Sequence, residues 1–308
     1  MKNRTKLRDK IVGWIKLSRL PFHTVGVLPF ILGTLVAWKI DGIFVFSVFS
    51  IGVTAVILTM LATYQAGEYF DYHEDTISKS IFKSRFAGGS GVIQEGTVSR
   101  IVPLKISVAA LMAAAGIGLF LQFFLKTGPY TILLGALGLF GGFFYSTKPV
   151  RLVDRGIGEL VIGFCYGWLP IASAYYIQTG YIHQIIYWVS VPIGMTIFNV
   201  ILLNEFLDYP GDTAVGKKNL LVRFGKRHGA YLYAAVSFCA WISVVLSLNA
   251  GIHYRVLYGY LPIIFLSAFI VGAILKGKYE NYQTLEILCG FNIVVNLGTN
   301  GSFMLALL

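Results

Sequence analysis

The chain has 308 residues, 56% of them hydrophobic and only 13% charged, with a mean hydropathy of +0.72. A soluble globular domain carries roughly a quarter charged residues, so that class is excluded. The formal net charge of +11 would point to nucleic acid in a soluble protein, but the distribution of the basic residues between loops accounts for it differently.

A bilayer-spanning helix needs about 20 mostly apolar residues. Nine such runs are predicted, near residues 20–39, 43–66, 101–125, 129–146, 157–178, 184–206, 229–249, 256–275 and 284–307. The first follows a charged amphipathic segment, is too long for a signal-peptide core and lacks a clear small-residue cleavage site, so a retained helix is expected. Assigning loops to alternate sides puts 22 of the 25 Lys and Arg residues on one side, seven of them before the first run. Only Lys39, Lys126 and Arg255 fall opposite. Cytoplasmic loops carry the excess of Lys and Arg in membrane proteins. The expected fold is an all-α polytopic membrane protein with nine transmembrane helices, its N-terminus in the cytoplasm and its C-terminus outside. Nucleic-acid binding is not expected. Cys165, Cys239 and Cys289 sit in separate apolar runs without metal-ligand spacing, which predicts simple packing.

The second run ends in GEYFDYHEDT, residues 67–76, and the sixth in NEFLDYPGDT, residues 204–213. They align as one acidic motif written twice, with Glu68, Asp71 and Asp75 in the first copy and Glu205, Asp208 and Asp212 in the second. The two stretches hold seven of the 14 acidic residues, and each closes a hydrophobic run on the predicted cytoplasmic side. Spacings of three and four put side chains on one helical face, so Glu68, Asp71 and Asp75 are expected to point together into a cavity. Pro210 and Gly211 disfavour continuation of the helix, which predicts Asp212 in the following loop. Clustered carboxylates repel one another unless a cation compensates them. An oxygen-only set suits Mg2+, which takes one or two carboxylates and completes its shell with water and phosphate. No Cys/His set favours zinc. The competing reading is a pair of solvated helix ends neutralised by loop lysines. Duplication in matched topology weighs against it, because boundary acids in register mark sites.

Cationic residues follow each copy: Lys79, Lys83 and Arg85 ahead of the glycine-rich FAGGSGVIQEG at 86–96, and Lys217, Lys218 and Arg223 after the second. Between them YSTKPVRLVDRGIGE, residues 145–159, carries Lys148, Arg151 and Arg155. Acids and bases at one membrane face suit a metal-bound polyanion whose phosphate charge both kinds of cation neutralise. Lys83, Arg85, Lys148 and Lys217 are the candidates for that role, and most other basic residues are assigned to topology. The glycines would let backbone N–H groups approach phosphate, although no P-loop pattern is present and a flexible lid fits equally well. Aromatic residues make up 15% of the chain. Most such residues in a bundle serve packing and interfacial belts, while a few lining a cavity would stabilise a cation through their ring faces. Tyr64, Tyr69 and Tyr145, near the acids in sequence, are the candidates. Among the histidines, His73, inside the first motif, is the one candidate for a catalytic role.

Paired acidic motifs at the ends of the second and sixth helices of a nine-helix chain resemble those of the UbiA superfamily of intramembrane prenyltransferases. That family's usual first motif, N-D-x-x-D-x-x-x-D, is matched by Gly67, Glu68, Asp71 and Asp75, and the second by Asn204, Glu205, Asp208 and Asp212. Gly67 stands where Asn is usual and Glu68 where Asp is usual, a departure that bears on metal geometry. LSRLPFHTVGVLPFILGT, GGS-VIQEG, YSTKP and RGIGEL extend the resemblance over nearly the whole chain. GGS-VIQEG and RGIGEL resemble the dihydroxynaphthoate prenyltransferase branch of menaquinone synthesis.

The resemblance implies a single transmembrane domain over residues 1–308, a UbiA-like bundle around a central cavity with one motif in each half, about 1–147 and 148–308. It implies a polyprenyl diphosphate with its tail among the helices and its head at the cytoplasmic face of a prokaryotic plasma membrane. Two Mg2+ ions would be held, one per motif, by Glu68, Asp71 and Asp75 and by Glu205, Asp208 and Asp212. Asp71, Asp75, Asp208, Asp212 and Lys148 would be catalytic, with Lys83, Arg85, Lys148, Lys217 and Asn204 on the diphosphate. The allylic C–O bond ionises, cavity aromatics shelter the cation from water, and an electron-rich ring attacks and loses a proton. The implied acceptor is 1,4-dihydroxy-2-naphthoate, and membrane lipid is the surrounding partner.

A hydroxybenzoate or a glycerophosphate ether-lipid precursor stays open as acceptor, as do prenyl length and oligomeric state. The rival of another class is an ion-coupled transporter. Against it, the acids lie at one face instead of the midplane, and an odd helix number does not fit a simple inverted duplication. The D-G-x-x-A-R signature of CDP-alcohol phosphatidyltransferases is missing.

Overall fold

A computed structural model describes residues 12–308, so Lys2, Arg4, Lys6, Arg8 and Lys10, five of the seven basic residues ahead of the first run, lie outside the described residues. Ten helices of ten or more residues and no strand form among the described residues. They are α1 (Val12–Asp41), α2 (Phe46–Phe70), α3 (Tyr72–Ile81), α4 (Ile101–Phe124) and α5 (Thr131–Phe143). Then come α6 (Gly158–Thr179), α7 (Ile185–Ala214), α8 (Leu220–Ala250), α9 (Arg255–Leu275) and α10 (Tyr282–Leu307).

Every predicted apolar run is helical, and eight helices are long and apolar enough to cross a membrane. The remaining run, the fourth, at 129–146, forms only the 13-residue α5, about 20 Å long at 1.5 Å per residue against a hydrocarbon core of roughly 30 Å. The short amphipathic α3 has no counterpart among the predicted runs.

α7 lies at the centre, with 61% of its most apolar window buried against 22% for α4. The outer helices turn large apolar groups such as Met112, Phe123 and Phe265 outward, which a lipid solvent tolerates and water would not. Inside the bundle, asparagines tie α7 to its neighbours. Asn199 Nδ2 donates to Ser237 Oγ of α8 at 2.8 Å, and Asn292 Nδ2 of α10 donates to Asn199 O at 2.9 Å. Apolar burial alone provides little specificity between helices in lipid, so such bonds and close packing hold the register.

The two motif copies depart from expectation in opposite ways. The first helix bends at Asp71 (φ −92°, ψ 15°), where α2 stops and α3 begins, instead of presenting one continuous face. The second runs unbroken through Pro210 to Ala214, so Asp212 is helical and not in a loop. Tertiary contacts override the local preference there. Gly211 lies directly against Glu74 and Ser78 of α3, leaving no space for a side chain. Asp212 accepts from Lys217 Nζ at 3.1 Å and Asn219 Nδ2 at 2.8 Å, which ties the last turn to the start of α8.

Candidate active site

The ends of α2 and α7, the bend into α3 and the 86–96 loop enclose one cavity of about 190 Å3. All six motif carboxylates, Glu68, Asp71, Asp75, Glu205, Asp208 and Asp212, line it. The bend at Asp71 is what turns α3 back across the mouth, so that Asp75 meets the α7 acids instead of continuing along α2.

Four acidic side chains already have cationic partners. Arg151 Nη2 donates to Asp71 Oδ1 at 3.1 Å and also reaches Glu74 Oε1, while Ser146 Oγ donates to Asp71 Oδ2 at 2.5 Å. Arg19 Nε lies 3.3 Å from Glu68 Oε1, and Lys217 pairs with Asp212. Glu68 is further occupied by the loop: Ser90 N–H donates at 2.6 Å and Ser90 Oγ at 2.8 Å, one to each oxygen. Glu68, an expected metal ligand, thus carries three donors and ties down the glycine-rich segment, whereas Asp71 and Asp212 carry two each. Gly89 (φ +66°) brings loop backbone against Asp75, where any β-carbon would run into Oδ2.

Burial, then the carboxylates of Asp208, Asp71 and Glu68, push the Asp75 carboxyl well above the usual carboxylate range. Burial and the neighbouring Asp71 likewise push Glu74 up to about 7. Burial alone would lower the Lys217 ammonium, but Asp212, Asp71 and Glu74 more than reverse it and hold it well above its ordinary value. The cavity is a field of negative charge that a bound cation would relieve.

The residues fit a divalent cation. Both oxygens of Glu205, Oδ1 of Asp208 and Oδ1 of Asn204 are buried without a hydrogen-bond partner, an arrangement that costs free energy unless something positive or donating completes it. Among the described residues no three Asp, Glu, His or Cys side chains converge as a ready-made metal cage. Mg2+ does not require one, since it takes one or two carboxylates and fills its remaining positions with water and phosphate oxygens.

Of the expected phosphate-binding cations, only Lys217 lines the cavity, beside Asn204. Lys83 and Lys148 are exposed and outside its wall. Arg85 is 80% exposed at its side chain and pairs with Glu286. Two arginines assigned only to topology take the inward positions instead: Arg19 lines the cavity and Arg151 grips Asp71. Tyr64 and Tyr145 line the cavity, but Tyr69 does not, its ring lying 5.2 Å from the Arg100 guanidinium. His73 is exposed. Tyr166 was missed by sequence reasoning. Its signal was a phenol in the middle of an apolar run, and it sits in the π-helical turn Phe164–Trp168 of α6, a distortion frequent at functional sites.

Comparison with known proteins identifies the family and the fold. The model of the UbiA prenyltransferase family matches residues 26–293. The 1,4-dihydroxy-2-naphthoate octaprenyltransferase of Bacillus subtilis (strain 168) is 24% identical over 297 residues, covering 95% of this chain and 90% of that protein. UbiA prenyltransferase domain-containing protein 1 of Dictyostelium discoideum is 28% identical over 241 residues, covering 76% of this chain and 70% of that protein. In three dimensions, a UbiA homologue from Archaeoglobus fulgidus bound to GPP and Mg2+ superposes with a TM-score of 0.59 over 92% of this chain and 99% of that one, at 14% identity. That likeness is one of fold. With two acidic motifs around one cavity and a family match over most of its length, the chain belongs to the UbiA prenyltransferase family and is a multi-pass membrane prenyltransferase.

Proposed function

We propose that this enzyme moves a polyprenyl group from polyprenyl diphosphate to 1,4-dihydroxy-2-naphthoate, a step of menaquinone synthesis, at the cytoplasmic face of a prokaryotic plasma membrane. The observation that carries the transfer chemistry is the convergence of six motif carboxylates on one cavity, with buried, unpartnered oxygens on Glu205 and Asp208. The acceptor rests on the names of relatives at 24–28% identity and on the GGS-VIQEG and RGIGEL stretches.

Mg2+, two ions in this reading, would be held by Asp71, Asp75, Glu205, Asp208 and Asp212 and would supply positive charge to the diphosphate oxygens. Glu68 acts by fixing the loop. Lys217 and Arg19 line the same cavity and bind diphosphate oxygens directly, stabilising the negative charge that grows as the allylic C–O bond breaks and its electron pair leaves with the diphosphate. Arg151 and Ser146 orient Asp71. Tyr64, Tyr145 and Tyr166 present ring faces to the allylic cation, and the apolar walls exclude water that would capture it as an alcohol. The electron-rich acceptor ring then attacks and regains aromaticity by losing a proton.

The test is purified enzyme in lipid nanodiscs with labelled polyprenyl diphosphate, Mg2+ and a panel of acceptors. Prenylated dihydroxynaphthoate is the expected product. Transfer to a hydroxybenzoate or glycerophosphate acceptor instead would reassign the substrate. Failure with every acceptor, combined with ion flux in liposomes, would replace the transferase reading.

A further inference from the structure

A second cavity lies deeper in the bundle and has about 130 Å3 of space. It shares Thr63 and Tyr166 with the carboxylate cavity, so the two adjoin at those side chains. Its lining is apolar. Thr59 and Thr63, on its wall, give their hydroxyls to Ala55 O at 2.8 Å and Thr59 O at 3.0 Å, so their polar groups are satisfied within α2. Such a chamber suits the hydrocarbon tail of a substrate whose charged head sits among the carboxylates.

Its deep end is shaped by two glycines. Ser107 Oγ of α4 donates to Ala62 O of α2 at 2.6 Å and sets an antiparallel register that brings Gly118 level with Gly52, about 16 Å further along by helical rise. At Gly52 a β-carbon would lie 2.9 Å from Ile177 Cδ1, so its absence lets Ile177 and the buried Phe30 close over α2 as a floor. Gly118 differs. The buried residues Ser107, Ala110, Ala114 and Leu121 mark the inward face of α4, and helical spacing puts Gly118 on that face. Yet a β-carbon there would meet no atom within 4 Å. An inward position with nothing opposite it borders open space, and Gly118 lines the second cavity.

We propose that Gly118 sets the length of prenyl chain this enzyme accepts, by leaving the far end of the tail chamber open beside the Phe30–Ile177 floor. This rests on the polyprenyl diphosphate reading above. The test is competition between geranyl and octaprenyl diphosphate, with products separated by mass spectrometry. Gly118→Leu places a side chain in the opening from a β-carbon that meets no atom within 4 Å, and it favours the helix more than glycine does. It raises the ratio of short to long product by roughly tenfold or more, the discrimination a hydrophobic pocket gains from a small change in volume, while still transferring the geranyl group. Phe30→Ala deepens the floor and moves the ratio the other way. Ratios that stay within about twofold of wild type in both variants of an active enzyme overturn the chain-length assignment alone. Absence of transfer by the wild type from either diphosphate overturns the transferase reading, and this inference with it.

Discussion

Glu68 is the motif acid proposed above as a loop latch, and Ser90→Ala tests that role. The substitution removes one charge-assisted hydrogen bond, Ser90 Oγ to Glu68 Oε2 at 2.8 Å, and the weaker one that Val92 N–H donates to Ser90 Oγ at 3.3 Å. Bonds to charged groups contribute about 1.5–3 kcal/mol. Glu68 keeps the Ser90 N–H at 2.6 Å and Arg19 at 3.3 Å, so no carboxylate is left stranded and the loss belongs at the lower end. About 1.5 kcal/mol is roughly a tenfold rise in the population of the open loop. Amide hydrogen exchange across residues 86–96 should accelerate by that factor, with exchange in α7 unchanged. Glu68→Gln discards the ion pair as well, and breaking a buried pair costs about 3–5 kcal/mol, so the same segment should exchange faster still. In both variants turnover falls while the Mg2+ concentration for half-maximal activity stays put. The latch is refuted if Glu68→Gln raises the Mg2+ requirement with loop exchange unaltered, because that is the behaviour of a metal ligand.

Asp71→Asn and Asp208→Asn should each abolish turnover while the protein stays folded by thermal denaturation, and chelation of divalent metal should do the same reversibly. Full activity in either variant would count heavily against the metal assignment. Gly89→Ala, which must fit a β-carbon at φ +66° against Asp75, should cost at least about tenfold in kcat/KM, consistent with about 1–3 kcal/mol of backbone strain. Wild-type kinetics there would mean the loop is not held against the acid. Lys148→Ala and Arg85→Ala should stay within about twofold of wild type, as exposed charges and surface pairs contribute about 0–1 kcal/mol; a large drop in KM-limited turnover would return them to the diphosphate site. Asn219→Ala loses the cap on Val222 N–H at 2.8 Å and the bond to Asp212. It should lower Tm by a few degrees, in line with about 1 kcal/mol for a helix cap.

Much of this protein could be read from residue order, for a local reason. Whether some twenty consecutive residues prefer hydrocarbon is a property of those residues, so all nine runs coincide with helices, eight of them of spanning length. The carboxylates were equally legible, because the same spacing at 67–76 and 204–213 needs no knowledge of what lies between. Even so, neither helix end behaved as its residues suggested. Asp71 became a bend and Pro210 did not, since packing of α3 on the last turns of α7 outweighs the local cost of proline.

Partnership was the part decided in three dimensions. Arg19 and Arg151 are indistinguishable by sequence from the other basic residues that set topology, and Lys83 and Arg85 stand closer in sequence to a motif than either of them. Which charge meets which acid depends on how each helix is rotated about its axis and how the loops fold back, and contacts across the chain fix both. The same holds for Tyr166 inside the cavity and Tyr69 outside it: helix rotation determines whether a tyrosine faces the chamber or Arg100.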